Sequence, residues 1–348
     1  MEDTTGPDCT ALDYRALRHH GDVDAEPGLL DFAVNVRGTA PPAWLRERLA
    51  ARLDDLGAYP SAAEELATRE QVAARHGRRP DEVLLLAGAA EGFALLPRLR
   101  PRLAAVVHPS FTEPELALRE ADVPVQRVVL APPWQLAGAA VPAEADLVVL
   151  GNPTNPTSVL HPAEQVLGLR RANRVVVVDE AFADAVPGEP QSLAGQRLPD
   201  VLVLRSLTKT WALAGLRAGY VLGPPDLLPR LARGRPHWPL GTLQLEAIRA
   251  CCEPDAVAWT QREAEAIAVE RAEMAALLAP WLCGPAQGPF LLLRVPDGER
   301  VRRELRTRGI AVRRGDTFPG LGPDYLRVAV RSSADAHRLT ETMTEVLR

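Results

Sequence analysis

V-L-V-L-R-S-L-T-K-T-W-A-L-A-G-L-R-A-G-Y, residues Val201 to Tyr220, is the stretch around which the chain is organised. Lys209 within it is the only lysine of 348 residues; every other member of the Lys plus Arg total of 40 is an arginine. An arginine guanidinium stays protonated near neutral pH and cannot act as an amine nucleophile. A primary amine is needed where an aldehyde must be captured as a Schiff base, and a lysine made less basic by its surroundings does this. The competing account is a lone lysine left by compositional drift. Its neighbours argue for the chemical reading. The β-type run Val201 to Leu204 leads into Ser206, Thr208 and Lys209, so two hydroxyls and an amine sit at a strand's carboxyl end, where open α/β sheets bind ligands. Arg217 follows eight residues after Lys209, a fixed charge suited to a phosphate.

The length suggests about two domains, and 47% hydrophobic residues with a mean hydropathy near zero describes a soluble globular protein. A net charge of −5 argues against a broad nucleic-acid surface. The amino terminus, M-E-D-T-T-G-P-D-C-T, is acidic and polar where a signal peptide is basic and then apolar. No apolar run approaches membrane-spanning length. A cytoplasmic protein is expected. Cys9, Cys251, Cys252 and Cys283 show no C-x-x-C spacing, and the adjacent pair suits neither a disulfide nor a shared metal, so buried thiols and no metal site are expected.

Before the central stretch, Tyr14 to Asp31 reads as irregular, with His19-His20-Gly21-Asp22 as a solvated turn. Asp31 to Val36 reads as a short strand, Trp44 to Leu53 as a helix, and a second helix after Ser61 runs to Arg75 and stops at Gly77. From Val83 the rhythm alternates strand and helix, with strands at Val83 to Ala87, Ala104 to Val107, Val125 to Leu130, Asp146 to Leu150, Val175 to Val178 and Ala218 to Leu222. Such spacing predicts a mostly parallel sheet covered on both faces. Three strand ends carry chemistry: Gly88-Ala89-Ala90, a glycine turn into a helix whose free N–H groups suit an anion; Asn155 in N-P-T-N-P-T; and Asp179. Beyond Tyr220 the pattern predicts a helix of 23 residues from about Ala256 to Leu278, and then a small α+β region with strands at Phe290 to Val295, Ile310 to Arg313 and Tyr325 to Val330.

Amine, carboxylate, amide and anion donors on one sheet edge meet the needs of pyridoxal 5′-phosphate, with Asp179 keeping the ring nitrogen protonated so that the ring accepts electrons. N-P-T-N-P-T-S, D-E-A-F and S-L-T-K-T-W-A-L-A-G-L-R-A-G-Y follow in order, and in this the chain resembles the fold type I pyridoxal-phosphate enzymes of the class I and II aminotransferase family over roughly Asp31 to Arg331. The resemblance implies an α/β fold with a mostly parallel central sheet and helices on both faces. It further implies a large cofactor-binding domain at 59–253, a small α+β domain from 1–58 and 282–348, and an interdomain helix at 254–281.

By the same resemblance, Lys209 is the Schiff-base lysine, Asp179 the pyridinium partner and Asn155 the phenolate partner. Ala89, Ala90, Ser206 and Arg217 hold the phosphate, and Phe111 stacks on the ring. Tyr59 reaches the neighbouring subunit's cofactor, which implies a homodimer. Arg327 takes the substrate carboxylate, Arg313 and His19 a substrate phosphate, and Asn35 lies by the substrate. Within the family the chain is similar to the threonine-phosphate decarboxylases of cobalamin biosynthesis, through H-H-G-D and Phe182, and to the histidinol-phosphate aminotransferases. Decarboxylation is the first expectation, transamination the alternative, and a catalytically inactive binding module the third. Ser158 in place of the glycine of N-P-T-G, and Arg37 in place of an asparagine near the substrate, are departures that bear on specificity.

Overall fold

The structure is a computed structural model and describes residues 14–348. Cys9 lies outside them. Seven strands form one sheet in the order Val83–Leu86, Gly219–Leu222, Val201–Ser206, Val175–Asp179, Leu147–Gly151, Ala104–His108, Val125–Val129. The sheet is parallel except for Gly219–Leu222, which runs antiparallel to both its neighbours. The inner strands are apolar runs because alternate side chains enter different cores: Val176, Val178, Val201 and Val203 face one, and Val177, Leu202 and Leu204 face the other. The edge strand Val125–Val129 carries polar residues along its length, Gln126 and Arg127, where the sheet is not covered on both sides.

Strands that share a direction place their carboxyl ends on one edge. Register sets Gly151 beside Asp179 and Asp179 beside Leu204, so the Asn-Pro loop, the carboxylate and the approach to Lys209 are lateral neighbours. The helix Ala62–His76 starts at a capping box, with the Ser61 hydroxyl accepting from the Glu64 N–H and the Glu64 carboxylate from the Ser61 N–H. It stops at Gly77, whose φ of 62° suits a residue without a side chain.

A second, antiparallel sheet of Arg313–Arg314, Tyr325–Ala329 and Phe290–Arg294 packs under the helices Gly298–Thr307 and Ser333–Val346, with Phe32, Leu293, Leu305 and Leu339 in its core. The helix Pro254–Leu277, 24 residues and about 36 Å long, places Ala256 in the large core and Met274 in the small one. None of the described helices is long and apolar enough to cross a membrane.

Three local expectations are corrected. Of the expected Asp31 to Val36 strand only Asp31 is in a strand, Leu30–Asp31, which pairs with Ile310–Ala311, because the Asp31 carboxylate then accepts from the N–H groups of Ala33 and Val34 and turns the chain. The expected strand Ile310 to Arg313 divides, with Ile310–Ala311 in one sheet and Arg313–Arg314 in another. His19 to Asp22 is no solvated turn. Gly21 opens a short helix to Asp24 and presses on the Ala33 carbonyl, where a Cβ would come within 2.4 Å. Cys251 and Cys252 are buried free thiols, and Cys283 is a partly buried one.

Candidate active site

A cavity of about 490 Å³ opens at the carboxyl edge of the large sheet, against the small one. Lys209, Asp179, Asn155, Ser206, Arg217, Ala89, Ala90, Phe111, Asn35, His19, Arg313 and Arg327 all line it. Tyr59 stands elsewhere, 75% exposed and stacked on Trp238 with ring centroids 4.2 Å apart, and neither Arg37 nor Ser158 lines the cavity.

Burial lowers the Lys209 ammonium to a pKa of about 8, and the guanidinium charges of Arg327 and Arg217 push in the same direction against Asp179 and Asp22. Burial likewise raises the Asp179 carboxyl to about 6, although it accepts the Ala181 N–H and feels Lys209. Asp179 has no guanidinium partner, and its remaining exposed face opens into the cavity. A cationic N–H of a bound ring would restore its charge.

At the Gly88 turn, φ is 82° and a Cβ would lie 2.7 Å from the Arg217 guanidinium, so the absence of a side chain is what seats that charge against the start of the helix Ala89–Leu95. Ser206 and Thr208 hydroxyls are 2.7 Å apart beside it. Two hydroxyls, free helix-start N–H groups and a guanidinium form an anion cradle.

On the other wall Arg327 donates to the Asn155 side-chain carbonyl at 2.8 Å and to the Ala33 carbonyl, and its Nε has no partner. Arg313 donates to Thr317 and to the His19 carbonyl, both at 2.7 Å, and lies 3.5 Å from the buried Asp24 carboxylate. Burial and the neighbouring guanidinium of Arg313 bring Arg327 down to about 9, and burial brings Arg313 down to about 10; Asp24 opposes both shifts. Two poorly solvated cations with one buried carboxylate, Asp24, between them leave a site that a further anion would relieve. Asn35 is 8% exposed, and neither its amide nitrogen nor its oxygen has a partner. An orphaned buried amide facing a cavity is a polar contact held for a ligand.

His19 lines the cavity with its Nε2 3.1 Å from the Asp24 carboxylate. The structure adds His20, 2.6 Å from Glu113 and tilted against Phe111 at 5.4 Å. Glu113 carried no signal in the sequence, since an acidic residue at a helix start is ordinarily solvated. Phe182 also lines the wall, 6.0 Å from the Lys209 amine. The donor set fits an aldehyde-bearing phosphate cofactor: a depressed amine, an elevated acid opposite, an anion cradle and a flanking ring.

Residues 28–344 match the aminotransferase class I and II family. The chain is 59% identical over 318 residues to histidinol-phosphate aminotransferase of Mycobacterium tuberculosis, covering 91% of this chain and 87% of that one. It is 33% identical over 337 residues to threonine-phosphate decarboxylase of Salmonella typhimurium, covering 92% and 91%. Histidinol-phosphate aminotransferase from Sinorhizobium meliloti, solved with pyridoxal 5′-phosphate, superposes with a TM-score of 0.78 at 22% identity over 90% of both chains. Fold, lysine-centred cavity and sequence similarity over nine-tenths of the chain lead to one conclusion: the chain belongs to the aminotransferase class I and II family and is a pyridoxal-phosphate-dependent enzyme.

Proposed function

We propose that the chain is an aminotransferase for a small phosphorylated amine, with histidinol phosphate as the favoured substrate and a 2-oxo acid as amino acceptor. The observation that carries this reading is the pair of buried arginines, Arg313 and Arg327, facing the Lys209 amine across one cavity. The relative at 59% identity supports histidinol phosphate, and it reverses the order in which the sequence alone placed decarboxylation and transamination. Decarboxylation of phosphothreonine is kept as a second reading because Phe182 offers no hydroxyl at the cavity wall and the decarboxylase relative spans most of the chain.

When bound, pyridoxal phosphate supplies the electron sink at the substrate's Cα. Its phosphate would be held by Ser206, Arg217 and the N–H groups of Ala89 and Ala90, its ring by Phe111, its ring nitrogen by Asp179 and its phenolic oxygen by Asn155. Lys209, with an amine of pKa about 8, is unprotonated often enough near neutral pH to attack an aldehyde and to carry a proton to and from Cα. Asp179 holds a proton at the ring nitrogen. Arg327 and Arg313 would orient the substrate's anionic groups, which selects the bond at Cα that is broken. Phosphate and carboxylate both suit such guanidinium forks, so one pocket serves the donor and the acceptor in turn. Tyr59, exposed outside its own cavity, is proposed to complete the phosphate site of a second copy in a homodimer.

Purified protein loaded with the cofactor and offered histidinol phosphate or phosphothreonine side by side tests the reading. Amino transfer from histidinol phosphate that requires 2-oxoglutarate is expected. Carbon dioxide from phosphothreonine without an acceptor replaces it with the decarboxylase reading, and no turnover of either returns the inactive module.

A further inference from the structure

Arg37 occupies a position expected to face substrate, but it does not line the cavity. Its guanidinium turns to the long helix Pro254–Leu277. There Nη1 and Nη2 donate to the two oxygens of Glu270 at 2.5 and 3.2 Å, and Nε donates to Glu263 at 3.3 Å. Those glutamates are seven residues apart and so share one helix face. The Arg37 backbone N–H meanwhile donates to the Lys209 carbonyl at 2.9 Å. One residue thus ties the backbone of the cofactor lysine to the helix that spans both cores. From the other side Arg331 donates to the carbonyls of Val34 and Asp31 at 2.6 and 2.8 Å. Between the two clamps sits Asn35, whose side chain has no protein partner and whose direction is therefore set by its backbone.

We propose that Arg37 is a positioning residue: through its ion pairs with Glu263 and Glu270 it holds the segment 34–37 so that Lys209 and Asn35 present their side chains to the cofactor and substrate at a fixed height. Stability alone is a poor explanation for this arrangement. All three side chains are about a quarter exposed, 26% for Arg37, 27% for Glu263 and 25% for Glu270, so the pairs contribute to folding, but stability by itself does not require that they hold this segment in one direction. A planar fork reaching two carboxylates on one helix face instead fixes direction, which a lysine's single ammonium does not. The inference rests on Lys209 as the cofactor lysine and not on the choice of substrate, so either reaction assigned to the cavity leaves it standing.

The test uses the full chain loaded with pyridoxal phosphate, as Arg37→Met and, separately, as the pair Glu263→Gln with Glu270→Gln, which cuts the same ties without altering the segment itself. The visible absorption of the lysine-bound cofactor is followed against pH, beside kcat, KM and the melting temperature. The charges facing the Lys209 amine, from Arg327, Arg217, Asp179 and Asp22, are untouched by either variant. Both variants are expected to move the absorption midpoint by about half a pH unit or more. Both should also lower kcat about tenfold, the cost of a reacting group displaced by a fraction of an ångström, with Arg37→Lys recovering only part. A lower melting temperature with unchanged midpoint and kcat overturns the proposal in favour of a merely structural strap. A shift in Arg37→Met with none in the double glutamine variant overturns it as well. If Arg37→Met fails to fold, the glutamine pair decides alone.

Discussion

Replacing Gly88 with alanine tests the anion cradle at its tightest point. At φ 82° and ψ 162° Gly88 occupies a backbone region essentially confined to glycine, where an L-residue costs about 1–3 kcal/mol. The new methyl would lie 2.7 Å from Arg217 Nη2 and 3.1 Å from its Cζ, so something must move. The end of a flexible side chain moves most easily, and Arg217 is tethered there by a hydrogen bond to the Ala214 carbonyl at 3.0 Å. In the phosphate site proposed above, its displacement would remove one charge-assisted hydrogen bond to the cofactor, about 1.5–3 kcal/mol. That corresponds to a weakening of the dissociation constant by about 10- to 150-fold. Cofactor-free protein should lose only the backbone strain, with melting shifted by a few degrees. The assay is titration of pyridoxal phosphate into cofactor-free protein, followed by visible absorption, for Gly88→Ala, Arg217→Met and the double variant. Because both changes act through one guanidinium, their effects should fall short of additive by about 0.5–3 kcal/mol. Binding within twofold of the parent for Gly88→Ala, or strict additivity in the double variant, refutes the reasoning.

Other outcomes follow from the same structure. The rate at which cofactor-free protein captures pyridoxal phosphate should rise with pH through a midpoint near 8, because only the neutral Lys209 amine attacks; a midpoint above about 10, the ordinary lysine value, contradicts the burial argument. Ser158 sits at φ 62° with its hydroxyl accepting the Gly288 N–H at 2.8 Å, so Ser158→Ala should destabilise by about 1–3 kcal/mol by orphaning that N–H. Ser158→Gly, which also relieves the strain, should cost less in the same denaturation assay. Glu115 is held at about 2, despite burial, by His108, Arg127 and Arg119. A depressed carboxyl contributes stability that is full above its unfolded value near 4.5 and is lost as pH falls toward 2, so chemical denaturation across that window should show a decline that Glu115→Gln flattens.

Periodicity and strand-end chemistry made much of this site legible in advance. Val175–Asp179 and Val201–Ser206 are apolar along their whole length before they turn polar, and in a sheet covered on both faces that switch marks the edge where side chains leave the core. Lys209, Asp179 and Asn155 therefore reached one cavity through backbone pattern alone. Glu113 was not legible, and His20, noticed within H-H-G-D, read as part of a solvated turn, because a polar residue near a helix start looks the same whether it faces water or a ligand.

What the sequence by itself determined is the set of local, repeating choices: which runs become strands, where helices begin and end, and which functional groups stand at strand ends. Tertiary structure alone decided the reversed direction of Gly219–Leu222, the break that splits Ile310–Ala311 from Arg313–Arg314, and the folding of His19 to Asp22 over the cavity. It also turned Arg37 onto the long helix and brought Arg327 to Asn155 across 172 residues of chain. Local pattern encodes burial, which each residue's own chemistry dictates. Partners distant in sequence are chosen by whichever charges and surfaces remain uncovered once the cores have packed.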